Sequence, residues 1–213
     1  MAALARRSVP ATADILASAP RGAGAPILVL PGVFRTDAQT SGLRDLLSQL
    51  GYTPFGWELG RNLGPTQKLM RGARLRLQQL AATHGPVVLI GFSMGGLFAR
   101  WLAIRDPGLV QQVITIGSPW RAPVQSVYVP AALVRLAWRN RNLDTMAADI
   151  AGAMPVPVTS LFSRRDGIVA WESCLDPEAH HANVEVHCPH VMMEQDTHVF
   201  RAVAEALALA SPG

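Results

Sequence analysis

Three residues of this chain can together make a nucleophile: Ser93, Asp166 and one of a group of histidines near the C-terminus. A serine hydroxyl attacks poorly near neutral pH unless a base lies within hydrogen-bond reach, and that base needs a third group to fix its tautomer. Ser93 stands in Gly91-Phe92-Ser93-Met94-Gly95. Between a strand and a helix, a G-x-S-x-G run makes a sharp turn that thrusts the serine Oγ out beyond the strand. Side chains at Gly91 or Gly95 would crowd the strand–helix crossing. The helix start adds unpaired N–H groups and a positive dipole end, both suited to a developing oxyanion, so the Met94 N–H is the first expected donor. A glycine-rich turn with an incidental serine is the bland alternative, and the flanking elements must decide between them.

Val87-Val88-Leu89-Ile90, just after Gly85-Pro86, is short, apolar and partly β-branched, which reads as a buried strand. Beyond Ser93, Leu97, Phe98, Trp101, Leu102 and Ile104 take helical spacing up to Asp106-Pro107-Gly108. Ile27–Leu30, closed by Pro31-Gly32, is the first expected strand, and Tyr52–Leu59 a second. Val113–Ile116, Val158–Phe162 and Val184–Val186 follow as later strands. Leu43, Leu46, Leu47 and Leu50 mark one helix; Met70, Ala73, Leu77, Leu80 and Ala81 share the face of another; Phe200, Val203, Ala204 and Leu207 mark a closing one. Such alternation predicts a mostly parallel sheet covered on both faces, with ligands beyond the carboxyl ends of its strands. Gly32-Val33, Ser93, Ser118, Asp166 and His190 each follow a predicted strand, and that coincidence favours a site over a chance motif. From Trp120 to Pro157 the rhythm breaks, and two weak helices separated by an Asn/Arg-rich turn are expected there.

The 213 residues, 49% hydrophobic and 16% charged, are enough for one domain with a real core and argue against disorder. Residues 1–25, rich in Ala, Arg, Pro and Gly, read as an N-terminal arm with a short helix near Asp14–Ser18; residues 26–213 read as a single domain. The net charge is +4 but the basic residues are scattered, with Lys68 the only lysine, so no nucleic-acid partner is expected. No apolar run could span a membrane, and Ser8–Asp14 interrupts what a signal peptide would need, which makes a cytoplasmic location the default. Cys174 and Cys188 do not make a disulfide framework; they read as reduced thiols, with a single bridge across one strand as the alternative.

Leu30-Pro31-Gly32, Gly56-Trp57-Glu58-Leu59-Gly60-Arg61-Asn62-Leu63-Gly64-Pro65, Gly91–Arg100, Ile116-Gly117-Ser118-Pro119 and Ser163–Val169 carry a resemblance in order and spacing. Over roughly residues 27 to 207 the chain resembles the α/β-hydrolase superfamily, and more narrowly small bacterial lipase/esterase-like hydrolases related to GPI inositol-deacylase-like proteins. The resemblance implies an α/β-hydrolase fold whose sheet has lost the first two strands, leaving about six, with a helical cap inserted at 120–157. It implies carboxylic-ester hydrolysis without a cofactor. It places the acid at Asp166, in Asp166-Gly167-Ile168-Val169, where a plain Asp-Gly turn is the alternative. Asp144, Asp149 and Asp176 are weaker candidates. Five of the six histidines lie between 180 and 198. His180 and His181 precede the last strand and face the wrong end of the sheet, and the family's histidine follows that strand, which favours His190 over His187. Pro189-His190 and Met192-Met193 depart from the family's usual Ser-His followed by small residues. The second oxyanion donor is expected at Val33, with Phe34 as the alternative.

His187, Cys188, His190, Asp196 and His198 also offer metal-type ligands, but their spacing fits no helix motif such as H-E-x-x-H, and no metal is expected there. The cap should cover Ser93, and Phe34, Tyr128, Leu133, Leu136 and Trp138 should line an acyl pocket, unless they simply pack on the core. Gly91–Gly96 lacks the G-x-G-x-x-G spacing of a dinucleotide site. The expected function is a serine hydrolase acting on a small-molecule ester or lipid. Alternatives are a thioesterase or acyltransferase with the same three residues, or a non-catalytic protein that binds a lipid or a partner.

Overall fold

A sheet covered on both faces needs strands that are apolar at nearly every position. The computed structural model describes residues 12–121, 126–128, 142–178 and 180–209, and its central strands meet that need. β1 (Pro26–Leu30), β3 (Val87–Phe92) and β5 (Val158–Phe162) are buried throughout, and β4 (Val110–Ile116) at all positions but Gln111. The edge strands β2 (Thr53–Gly56) and β6 (Ala182–Glu185) are short and partly exposed. Together they form a six-stranded, wholly parallel sheet in the order β2-β1-β3-β4-β5-β6.

Side chains alternate between two apolar layers. Leu28, Leu30, Leu89 and Val113 pack with α3 (Gln67–His84), α4 (Met94–Arg105) and α5 (Leu143–Asp149). Ile27, Val29, Ile90 and Ile114 pack on the other face with α1 (Thr12–Ser18), α2 (Ser41–Gln49) and α6 (Thr197–Leu209). Both β2 and β3 flank β1, so the chain changes direction across the sheet there, and the crevice beyond β1 and β3 is where such a sheet takes a ligand.

The two edge strands differ from their expected limits. β2 stops at Gly56 because the Asp37 carboxylate accepts the next two backbone N–H groups, Trp57 at 2.9 Å and Glu58 at 3.0 Å, which draws the chain out of the ladder. β6 starts at Ala182, ahead of its apolar residues, because an edge strand half open to solvent carries little hydrophobic signal.

Inside the 120–157 insertion, Leu143, Met146, Ile150, Met154 and Val156 are buried in the same layer as Leu97, Phe98 and Trp101. Asp149 accepts hydrogen bonds from Trp101 Nε1 at 3.1 Å and Arg105 Nη2 at 2.6 Å. This half of the insertion is part of the wall beside α4. Leu133, Leu136 and Trp138 lie outside the described residues. Cys174 and Cys188 are free and buried, and burial pushes each thiol up to about 12. Among the described residues no helix is long and apolar enough to cross a membrane.

α1 is tied to the domain. Ile15 is fully buried against the α2 and α6 layer, Arg21 Nη1 donates to Gln49 O at 2.6 Å, and Arg201 Nη1 donates to Ser18 Oγ at 3.1 Å. Ile15→Ala should therefore cost about 2–5 kcal/mol of unfolding free energy in a urea titration. A loss below about 0.5 kcal/mol, the size of an ordinary surface change, would show that α1 lies on the core without belonging to it.

Candidate active site

Ser93 is the single residue between β3 and α4, with φ 48° and ψ −117°. A non-glycine residue in such a conformation costs about 1–3 kcal/mol and persists only where its surroundings enforce it. Here Ser93 N–H donates to Ile116 O at 2.8 Å, and Gly96 N–H donates to Ser93 O at 3.0 Å. A Cβ on Gly91 would strike the backbone of Gly95 and Gly96; one on Gly95 would strike the Leu30 carbonyl; one on Gly96 would strike Ser118 Oγ. The G-x-S-x-G-G spacing is thus a steric requirement of α4 crossing this close to β1 and β3.

Asp166 lies in the loop after β5 and is almost wholly buried. Its Oδ1 accepts the N–H groups of Ile168 at 3.0 Å and Val169 at 2.6 Å, and its backbone carbonyl accepts His190 N–H at 2.9 Å. That leaves Oδ2, 2.7 Å from His190 Nδ1, while His190 Nε2 is 3.1 Å from Ser93 Oγ. An ionised carboxylate can only accept, so Nδ1 carries the proton and Nε2 faces the serine hydroxyl with a lone pair. The imidazole rests over Gly117, whose φ is 57° and where a Cβ would come within 3.2 Å of His190 Nδ1.

The other histidines of the cluster lie elsewhere. His187 Nδ1 is 3.8 Å from Glu185 Oε1, and His198 Nδ1 is 3.4 Å from Asp196 Oδ1. His180 and His181 precede β6, at the amino edge of the sheet. No three of His187, Cys188, His190, Asp196 and His198 bring ligand atoms together. Asp149 pairs with Arg105 and Asp176 with Arg100, both away from Ser93.

The second donor was expected from the loop after β1. Phe34 N–H is spent on the Asn62 carbonyl at 2.7 Å. Val33 N–H donates to no described residue, and Met94, as the first residue of α4, has no carbonyl one turn back to bond. Of the pair Val33 and Phe34, only Val33 therefore keeps an amide to offer. Phe34 (φ 60°) is 56% exposed and Tyr128 is 67% exposed. Tyr128 N–H donates to Ile168 O at 2.8 Å, and Val127 pairs antiparallel with Val169, so the start of the insertion is stitched to the Asp166 loop.

The chain matches the family model for the alpha/beta hydrolase fold over residues 73–163. The structure reported for the metagenome-derived lipolytic enzymes LipS and LipT superposes with a TM-score of 0.69 at 15% identity, covering 90% of this chain and 95% of that one. The chain has the α/β-hydrolase fold. The thermostable carboxylesterase EstE1 from a metagenomic library gives 0.66 at 15% identity over 90% of this chain and 82% of its own. The monoacylglycerol lipase of Paleococcus ferrophilus gives 0.62 at 17% identity over 88% and 97%. No curated protein matches the chain in sequence.

Two residues that position this hydrolase-fold site had no assigned role in the sequence. Asn62 is fully buried: its Nδ2 donates to Pro31 O at 2.7 Å, its Oδ1 accepts Gly64 N–H at 2.9 Å, and its own N–H donates to Arg35 O at 2.8 Å. With the Phe34 bond it clamps the β1 loop from Pro31 to Arg35. An asparagine inside a Gly- and Pro-rich turn was the available signal. Glu194 had none, because its partners Gly32 and Arg35 lie far away in the sequence. It is buried, with Oε1 accepting Gly32 N–H at 3.4 Å and Oε2 3.3 Å from Arg35 Nε. It joins the segment carrying His190 to the β1 loop.

Burial raises the Glu194 carboxyl above its ordinary value, against opposing pulls from Arg35, the Gly32 N–H and His190. A raised carboxyl binds its proton more tightly in the folded state, so its contribution to stability is lost as pH rises from the ordinary glutamate range through the folded value. Glu194→Gln keeps an oxygen for Gly32 and removes that titration. The difference in melting temperature between variant and wild type should therefore shift in the variant's favour as pH rises through this window. A difference that stays flat with pH would show that Glu194 titrates as an exposed carboxyl does.

Proposed function

We propose that the protein is a serine hydrolase that cleaves a carboxylic ester through an acyl-enzyme. The observation that carries this reading is the His190 imidazole, bonded at Nδ1 by Asp166 and at Nε2 by Ser93 Oγ. As Oγ attacks the ester carbonyl carbon, Nε2 takes its proton, and the negative charge that moves to the carbonyl oxygen is received by the N–H groups of Met94 and Val33. Asp166 stabilises the imidazolium. The tetrahedral intermediate then collapses, the carbon–alkoxy bond breaks, and His190 returns the proton to the departing alcohol. Water, deprotonated by the same imidazole, adds to the acyl-enzyme and releases the acid together with Ser93.

The preference for esters draws support from the names of the fold's neighbours, which include lipolytic enzymes, a carboxylesterase and a monoacylglycerol lipase. A thioesterase domain from the curacin pathway shares the fold at a TM-score of 0.56, and thioesters are the second reading for the same machinery. Phe34 and Tyr128 are the described side chains proposed to meet the acyl group. The narrower kinship with GPI inositol-deacylase-like proteins is part of this proposal, supported by the Gly56–Pro65 stretch whose Asn62 clamps the β1 loop. So is a cytoplasmic location, with which two unbridged thiols accord.

A fluorophosphonate probe should label the wild-type protein and leave Ser93→Ala unlabelled; labelling that survives the substitution overturns the assignment of the nucleophile. On p-nitrophenyl esters, Asp166→Asn should lower kcat by about 10³–10⁴-fold with little change in KM, because it acts on the base and not on the substrate. Turnover that is unchanged would mean that another acid orients the histidine.

A further inference from the structure

The turn that leads into β6 holds a cluster that ester chemistry does not use. Asp176, Glu178, His180 and His181 lie at the amino edge of the sheet, opposite the edge that carries Ser93. One ligand atom each from Glu178, His180 and His181 lies within 4.8 Å of the others. Glu178 Oε2 and His180 Nε2 are 3.4 Å apart. Two ligands of a tetrahedral zinc ion, with bonds of about 2.0–2.1 Å, stand roughly 3.4 Å apart.

His181 supplies the independent observation. Its side chain is wholly buried, yet neither ring nitrogen has a hydrogen bond. Nδ1 lies 2.9 Å from Asp176 Oδ1 without a hydrogen bond between them, and Nε2 has no hydrogen-bond partner. A buried imidazole left this way is costly, and such an orphan calls for a water or an ion. Asp176 stands where an outer-shell carboxylate stands behind a metal-bound histidine, a position that sets ring orientation and ligand basicity. The other Asp176 oxygen, Oδ2, is 2.8 Å from Arg100 Nη1, which fixes the carboxylate beside the ring. Glu178 is aimed as well: its Oε1 accepts Met154 N–H at 3.3 Å, which leaves Oε2 toward the histidines.

We propose that Glu178, His180 and His181 bind a zinc-type divalent cation, with Asp176 orienting His181 and water completing the coordination. Two imidazoles and one carboxylate suit a borderline metal better than calcium or magnesium, which take all-oxygen shells. The bound ion would pin the turn before β6 and, through Asp176 and Arg100, the middle of α4. The site is independent of whether Ser93 is a nucleophile.

The test uses the full chain with no affinity tag, stripped with a chelator and titrated with zinc chloride by calorimetry. One equivalent should bind and the melting temperature should rise. His180→Ala, at a largely exposed position, and Glu178→Gln should each weaken zinc binding by about tenfold or more and remove the thermal gain, while His187→Ala and His198→Ala bind as the wild type does. Circular dichroism of the metal-free variants verifies that they fold. The proposal is overturned if no equivalent binds, if binding survives both His180→Ala and Glu178→Gln, or if calcium or magnesium binds as tightly as zinc.

Discussion

α4 passes over β3 and β1 with no room for a side chain between them, and the placement of Ser93 depends on it. Gly91, Gly95 and Gly96 have no room for a Cβ, because each would meet backbone or the buried Ser118 hydroxyl. That proximity forces Ser93 into φ 48° and turns Oγ outward. It also leaves the first amide of α4 beside the loop after β1. The placement of the Ser93 hydroxyl and of the free Met94 amide are therefore consequences of one steric fact. The strained backbone is held by the Ile116 carbonyl of the neighbouring strand, so β4 enforces the conformation that β3 delivers.

The rest of the site is assembled by loops that hold one another. Asp166 spends one carboxylate oxygen and its carbonyl on backbone N–H groups, so its second oxygen has a single direction left, and that direction is His190 Nδ1. Asn62 fixes the β1 loop from the β2 side, and Glu194 fixes it from the segment after His190. Besides its internal hydrogen bonds, each loop is bonded to its neighbours. Errors of an ångström in placement cost large factors in rate, and mutual bracing of this kind limits them.

The legible parts of the chain were those set by local rules. β3, the elbow and α4 follow from an apolar run, glycine spacing and helical periodicity, and β5 was readable to the residue. Choosing His190 among five clustered histidines rested on the last strand, which sets His180 and His181 aside, and on the resemblance, which places the histidine in the loop after it; the structure brings the His190 ring to Ser93. The part that stayed hidden is non-local. Asn62 acts on Pro31, and Glu194 on Gly32, across separations that leave no periodic trace. β2 ends early because of Asp37, which lies in a different loop. Residues 142–157 read as part of a cap because the β/α rhythm had stopped, yet their apolar side chains serve the core beside α4.

Arg100 shows how a costly interaction can still be useful to such a site. It is wholly buried on α4, with Nη1 on Asp176 at 2.8 Å and the guanidinium 4.0 Å over the Trp120 ring, while Nε and Nη2 have no partner. Burial lowers its affinity for the proton, and Asp176 restores only part of it. A buried ion pair seldom stabilises more than apolar residues of the same shape would, because desolvation consumes most of the attraction. What distinguishes the charged pair is direction. Arg100 can satisfy Nη1 only with α4 at one rotation and depth, set by the turn before β6 on one side and the segment after β4 on the other. The same helix begins with the Met94 amide, two turns away, whose direction depends on that rotation. The pair's contribution is therefore better sought in where α4 stands than in how tightly the domain holds together.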